Sequence, residues 1–147
     1  MAKLRSDFDT LVNALSPELF RYAMGLCRNP DTAEDLVQET FLRGWRAQAD
    51  LRDANAARAW LYTILRNEHA RLYERRRPDI CDPFELPETP VRGYDTSPEA
   101  FATRRALAQL STEYRDPLLL QVIGGFSSKE IGEMLGLNTN TVLTRLF

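Results

Sequence analysis

Apolar residues recur at intervals of three and four along most of this chain, and a few prolines, glycines and polar runs interrupt them. A helix turns about 100° per residue, so this spacing gathers side chains on one face. Phe8, Leu11, Val12 and Leu15 predict a first helix over about residues 4–15. Ser16-Pro17 reads as an N-cap with proline at the first helical position, opening a second helix that carries Leu19, Phe20, Ala23, Met24 and Cys27. Asn29-Pro30 ends it, and Asp31 with Glu34 forms a capping-box start for a third helix through Trp45.

That third helix sorts into two sides. Ala33, Val37, Thr40, Phe41 and Gly44 share one, with Leu36 and Trp45 on its flanks, and form a core stripe. Asp35, Gln38, Glu39, Leu42 and Arg46 share the other. An acidic, amide-bearing face with a leucine in its middle is either a solvated surface or a dock for a basic helical partner. Asp50 to Asn55 predicts a loop, and a long helix follows from about Ala56 to Arg77 with Ala57, Leu61, Ile64, Leu65 and Leu72 as its stripe. Its opposite side holds Tyr62, Thr63, Arg66, Asn67, Ala70, Tyr73 and Arg77.

Residues 78–96 break the helical pattern. Pro78, Pro83, Pro87 and Pro90 fall here with several acids, which predicts an extended acidic linker. Ile80, Phe84, Leu86 and Val91 give it apolar points with which to dock. Ser97-Pro98-Glu99 restarts helix, with Leu107, Leu110 and Phe101 expected to face a second small core. Another helix runs from Ser111 through Ile123 to a stop at Gly124-Gly125. Ser127 to Glu130 is a capping box before Ile131, Met134 and Leu135, Gly136 to Asn138 is a tight turn, and a last helix begins at Thr139. The predicted class is all-α: two small helical domains, residues 1–77 and 97–147, joined by an acidic Pro-rich linker at 78–96.

Charge sharpens this division. The formal net charge is -2, but residues 1–77 carry 13 Lys/Arg against 11 Asp/Glu, residues 78–98 carry one Arg against five acids, and residues 99–147 carry five of each. Cys27 and Cys81 do not make a disulfide framework, and His69 as sole histidine gives no zinc spacing. No run reaches the roughly 18 apolar residues of a membrane span and the N-terminus has no signal-peptide pattern, so a cytoplasmic protein is expected. No Gly-rich phosphate loop, metal-ligand spacing or nucleophile elbow is present; neither enzyme chemistry nor a cofactor or small-molecule substrate is expected.

Two patterns point to nucleic acid. The final two helices with their short Gly-containing turn have the layout of a helix-turn-helix, alternatively a plain helical hairpin. Val142 and Leu146 would pack inward, with Thr139, Asn140, Leu143 and Thr144 outward and Arg145 available to phosphate. Between Arg58 and Arg77 stand six Arg against two Glu, interleaved with Trp60, Tyr62 and Tyr73. Arginine with aromatic faces suits melted nucleic acid; singly, the terminal arginines also suit a solvated helix end and Trp60 and Tyr62 suit a core.

Asp31 to Arg46 (DTAEDLVQETFLRGWR), Ala59 to Asn67 (AWLYTILRN) and Gly125 to Leu146 together resemble bacterial sigma factors of the sigma-70 family, in the small extracytoplasmic-function form. The resemblance implies a region 2, a linker and a region 4 in that order. It implies a subunit that binds core RNA polymerase, directs promoter-specific initiation in a stress or envelope response, and helps melt the −10 element. By the match, Asp35, Gln38, Glu39 and Leu42 contact the β′ clamp helices, and Asn55, Arg58, Arg66, Asn67 and Arg71 contact −10 DNA, where a base is flipped out at a few kcal/mol of unstacking. Thr139, Asn140, Thr144 and Arg145 fall where the family reads the −35 element, beside the β flap. The linker falls where the family threads toward the RNA exit channel. An anti-sigma factor, membrane-linked, is implied as a further partner. The family carries Gly and Lys where this sequence has Asn140 and Leu143, and its recognition helix continues with basic residues beyond the equivalent of Phe147. The −35 reader is therefore expected to be truncated here. The alternative is a sigma-like decoy that binds an anti-sigma factor or polymerase without opening promoters.

Overall fold

A computed structural model describes residues 2–48, 56–75 and 97–147. Seven helices make up these residues: α1 (Ala2–Cys27), α2 (Pro30–Arg46), α3 (Ala57–Arg75), α4 (Pro98–Gln109), α5 (Thr112–Val122), α6 (Ser128–Leu135) and α7 (Thr139–Leu146). The class is all-α, as the hydrophobic periodicity predicts. The predicted loop over 50–55, most of the linker, Cys81 and Arg77 lie outside the described residues.

The two predicted N-terminal helices are one. α1 runs unbroken through Pro17. Proline inside a helix costs about 3 kcal/mol, through a missing N–H and a ring clash. Here the stripe Leu15, Leu19, Tyr22, Ala23 and Leu26 continues across the proline, and all five are buried. Burying each large apolar side chain contributes about 1.5–3 kcal/mol, so the stripe outweighs the break. The cap of α2 is also two residues earlier than predicted. Asn29, not Asp31, is the N-cap: its Oδ1 accepts from the backbone N–H of Asp31 at 3.0 Å and of Thr32 at 3.1 Å, with Pro30 next in the first turn.

α1, α2 and α3 pack as a three-helix bundle around Leu19, Leu36, Leu61 and Leu65. Thr40 is the buried polar member, and its hydroxyl donates to the Leu36 carbonyl at 2.7 Å, so it enters the core satisfied. In the C-terminal half, α5, α6 and α7 enclose Leu119, Leu120, Ile131 and Val142. Ser127 closes the predicted capping box with Glu130, and Gly136 takes the left-handed conformation at φ 69° that ends α6. Phe101 and Leu110 do not enter a second core: Phe101 is 43% exposed and Leu110 stands at the surface, while Leu107 is half-buried. α4 packs too lightly on its neighbours to cover that side.

The two halves share one apolar cluster. Phe126 stands edge-on to Tyr62 with centroids 5.0 Å apart, and Tyr62 in turn lies 4.8 Å from Tyr22. Leu119 of α5 reaches Gly25 of α1 closely enough that an added Cβ there would sit 2.9 Å from its Cδ2. Tyr62, placed by periodicity on the side of α3 away from the core, is therefore fully buried. The C-terminal helices cover that side.

Candidate functional site

Three surfaces of the described residues carry the predicted contacts. The first is the outer side of α2. Asp35 and Gln38 are exposed, Leu42 is 50% exposed, and Glu39 is half-buried. Arg43 holds Glu39 at 3.1 Å and reaches across to Glu68 of α3 at 2.7 Å, while Arg71 approaches the same Glu68 carboxylate at 3.5 Å. This chain of charges ties α2 to α3 and sets the Glu39 carboxylate at the edge of the face. Beside it, α1 and α2 form a groove of about 710 Å³ walled by Phe8, Val12, Gln38, Phe41, Leu42 and Trp45. Trp45 meets Phe8 edge-on at 5.3 Å and is 39% exposed. The face therefore offers an apolar step rimmed by carboxylates and an amide, a form complementary to a basic helix with an apolar ridge.

The second surface is α3. Asn67 and Arg71 are exposed on it; Asn55 lies outside the described residues. Arg58 and Arg66 are engaged within the chain. Arg58 Nε donates to Glu18 Oε1 at 2.6 Å, and its Nη2 donates to the Gly124 carbonyl. Its guanidinium lies 4.6 Å from the Phe126 ring centroid and 5.6 Å from that of Tyr62. Arg66 Nε pairs with Asp116 Oδ2 at 3.3 Å. Burial raises the Tyr62 phenol well above its ordinary range, and the adjoining Glu18 carboxylate, which accepts its proton at 3.1 Å, raises it further. The hydroxyl stays neutral and donates. His69, beside this junction, is held below its usual value by burial, with Arg115 and Arg28 acting in the same sense and Asp116 against them.

The third surface is α7. Thr139, Asn140, Leu143 and Thr144 are exposed, Arg145 is half-buried, and Val142 is fully buried against α5 and α6. Asn138 caps the helix by accepting from Thr141 N at 2.7 Å, and the Thr144 hydroxyl donates to the Asn140 carbonyl at 2.9 Å. That leaves the Thr144 hydroxyl free to accept but no longer to donate. The approach of α6 to the turn is close: a Cβ at Gly132 would stand 2.6 Å from the Leu137 carbonyl oxygen.

Both halves of the chain are matched by comparison with known proteins. The family profile for Sigma-70 region 2 matches residues 11–78, and that for Sigma-70, region 4 matches residues 100–147. The ECF RNA polymerase sigma factor SigL of Mycobacterium tuberculosis is 35% identical over 137 residues, covering 87% of this chain and 76% of that protein. EcfG of Rhodopseudomonas palustris is 33% identical over 90% of this chain and 75% of its own. The chain belongs to the sigma-70 family. Its group is the extracytoplasmic-function one. Among solved structures, the sigma factor RpoE in complex with the anti-sigma factor NepR, from Bartonella quintana, superposes with a TM-score of 0.80 at 28% identity, covering 95% of this chain and 89% of that one. CnrH in complex with the cytosolic domain of CnrY gives a TM-score of 0.71 at 28% identity, covering 97% and 81%.

Within this sigma-family chain the periodic pattern located the exposed members of α2 and α7. It missed Glu18, Asp116, Gly124 and Phe126 as partners of the region 2 arginines. These pairs are 40 to 68 residues apart in sequence, and no local spacing reveals them. The one available signal was Asp116 itself, a carboxylate set immediately before proline and three leucines. No helix among the described residues is long and apolar enough to cross a membrane.

Proposed function

We propose that this chain acts as a promoter-specificity subunit, binding core RNA polymerase through α2 and promoter DNA through α3 and α6–α7, without enzymatic chemistry of its own. The observation that carries the reading is the α2 face. Leu42 is a half-exposed leucine set among Asp35, Gln38 and Glu39, on a helix whose other side is well packed. Nothing among the described residues covers it, and it continues the apolar groove of Phe8, Val12, Phe41 and Trp45, a contiguous patch of the kind that marks an interaction site. In this reading Asp35, Gln38, Glu39 and Leu42 dock on the β′ clamp helices. Asn55, Arg58, Arg66, Asn67 and Arg71 serve the −10 element, and Thr139, Asn140, Thr144 and Arg145 serve the −35 element beside the β flap. The domain limits that go with it are 1–77, 78–96 and 97–147, with the protein at work in the cytoplasm. RpoE was captured with the anti-sigma factor NepR, and CnrH with the cytosolic domain of CnrY. An anti-sigma partner is proposed here on that basis, with retention at the inner membrane if that partner is anchored.

The test is run-off transcription with core polymerase on a library of upstream fragments, with and without the chain. Promoter-dependent transcripts are expected only when it is added. Leu42→Ala is expected to weaken core binding about tenfold, a contact worth roughly 1–2 kcal/mol, with helicity unchanged because the side chain is exposed. Transcripts identical to those of core enzyme alone would sink the proposal.

A further inference from the structure

Arg58 and Arg66 of α3 are each paired with a carboxylate. Arg28, just past the end of α1, is served differently: its Nε and Nη1 are buried with no hydrogen-bond partner. We propose that the junction of α1, α3 and α5 is a binding site for a free phosphoryl anion, held by Arg28 and Arg115 with His69 beside them. Neither the promoter contacts nor the polymerase dock enter into it.

Two contacts set the level of the three helices. A Cβ on Gly25 of α1 would lie 2.9 Å from Leu119 Cδ2 of α5, and Arg66 of α3 pairs with Asp116 of α5 at 3.3 Å. Arg28 follows Gly25 by about one turn, Arg115 precedes Leu119 by about one turn, and His69 follows Arg66 by about one turn. All three are half-buried, drawn into the junction yet within reach of a small solute. They also act on one another. Burial first, then the charge of Arg115, presses the Arg28 guanidinium below its ordinary value, with Cys27 opposing. His69 is pressed down by burial and by both arginines, with Asp116 opposing.

The charges do not balance. Arg28, Arg66 and Arg115 stand against the carboxylate of Asp116, which Arg66 already holds. Arg115 spends Nη2 on a long contact, 3.5 Å, to the Thr112 hydroxyl. Drawing cations together away from water without a counter-charge is costly, and an unpaired buried donor adds to the cost. Native interiors leave few such groups unpaired. Here they gather, for the fully buried Tyr22 hydroxyl in the same junction is another donor with no partner. Local preference does not explain the arginine either. Arg28 holds a left-handed backbone at φ 54°, which favours glycine or asparagine. A guanidinium offers its donors in a rigid fork that matches phosphate oxygens, and a second arginine alongside suits a dianion. Because its ligands come from both halves of the chain, the anion would tie α1 and α3 to α5.

The test is calorimetric titration of the full chain with inorganic phosphate, pyrophosphate and a nucleoside diphosphate. Chloride at matched ionic strength is the control, and a single-stranded oligonucleotide without terminal phosphates is the phosphodiester arm. Pyrophosphate is expected to bind saturably, one per chain. Arg28→Asn and Arg115→Gln should each weaken it about tenfold or more, and asparagine tolerates the left-handed backbone at 28. His69 is the sole histidine, so its imidazole signals in NMR are unambiguous. Its titration midpoint should rise when pyrophosphate binds the parent chain and stay in place for Arg28→Asn. Tighter binding of the nucleoside diphosphate than of pyrophosphate would make a nucleotide the source, and the reverse order a free phosphate. A titration that does not saturate beyond the chloride control overturns the site, as does equal affinity in the parent and both variants. Saturable binding that leaves the His69 midpoint unmoved places the anion elsewhere and overturns it too. A preference for the oligonucleotide over pyrophosphate overturns the free-anion assignment. Should Arg28→Asn fail to fold, Arg115→Gln and the His69 midpoint in the parent chain decide.

Discussion

In α1–α3 the apolar stripes of three long helices meet one another, whereas in α4–α7 several large apolar side chains stay partly in solvent. Tyr22, Leu19, Leu61, Tyr62 and Leu65 are all fully buried in or against the first bundle. In the second half Phe101, Leu110, Tyr114 and Leu143 are exposed, and Val122 is 71% exposed. Helix length accounts for much of the contrast. The N-terminal helices span 26, 17 and 19 residues, the C-terminal ones 12, 11, 8 and 8. Helices this short are marginal by themselves and depend on packing. The second half obtains part of that packing from the first, through Leu119 against α1 and Phe126 against Tyr62. The dependence runs mainly one way, from the C-terminal helices onto the bundle, although Tyr62 of α3 is covered by Phe126 from the second half.

The largest test of that asymmetry compares two core truncations. Leu61→Ala and Ile131→Ala each remove a fully buried side chain and should cost about 2–5 kcal/mol locally. Amide hydrogen exchange should show Leu61→Ala deprotecting α2 and α6 alike, because the platform fails. Ile131→Ala should deprotect α6 and α7 while α2 keeps its protection. Equal loss in α2 for both variants would show that the halves fold as one unit.

This one-way dependence also explains what was legible from residue order. Periodicity finds a helix whenever its stripe faces a neighbour close in sequence, and so α2, α3, α5 and the α6–α7 pair were all visible. It misjudged Pro17, where a local break signal competes with a stripe that continues on both sides, and tertiary burial wins. It misjudged Phe101 and Leu110, where apolar residues imply a core that four short helices do not build. Tyr62 was ambiguous for the same reason: which side of α3 is covered depends on helices placed 50 or more residues later. The exposed faces of α2 and α7 were legible because nothing else among the described residues packs there. The engagement of Arg58 and Arg66 was not, because it depends on where a separate half comes to rest.

A smaller effect tests the helix-turn-helix by itself. Gly132→Ala puts a methyl 2.6 Å from the Leu137 carbonyl oxygen, and a backbone atom cannot rotate away as a side chain does. The expected loss is about 1–3 kcal/mol, confined to α6 and α7 in the exchange pattern. Gly25→Ala makes the instructive contrast. Its methyl would meet Leu119 Cδ2 at 2.9 Å, across the junction of the halves. The end of a leucine side chain has room to give, and alanine gains up to about 1 kcal/mol of helix propensity. The net change in global stability should therefore be small, with the cost visible as weaker protection of α5. Loss of protection in α1 instead would place the strain in the wrong half.

Next in size is the cap of α6. Ser127→Ala removes the Oγ acceptor of the Glu130 N–H at 3.2 Å and leaves the reciprocal bond, from the residue-127 backbone N–H to Glu130 Oε1 at 3.0 Å, without its counterpart. The expected cost is about 1 kcal/mol, read as a lower denaturation midpoint for the C-terminal helices with the bundle unaffected. A fall of similar size in the bundle signal would again argue for a single cooperative unit.

The smallest expected effect concerns pH. His69 on α3 is held below its ordinary value of 6.5, first by burial and then by Arg115 and Arg28, with Asp116 opposing. A base whose folded-state pKa is depressed binds fewer protons folded than unfolded. Its contribution is complete above the unfolded value and is lost as pH falls below 6.5 through the lower folded value. Acidification should therefore loosen the junction between α3 and α5 before it disturbs the bundle core, because the groups that face His69 sit on both halves. Thermal midpoints measured from pH 7 to about pH 5 should decline for the parent chain and decline less for His69→Gln, which cannot take up the proton. Identical slopes for the two proteins would mean that His69 stays neutral or stays solvated through the whole range, and that its burial between the halves does not last in solution.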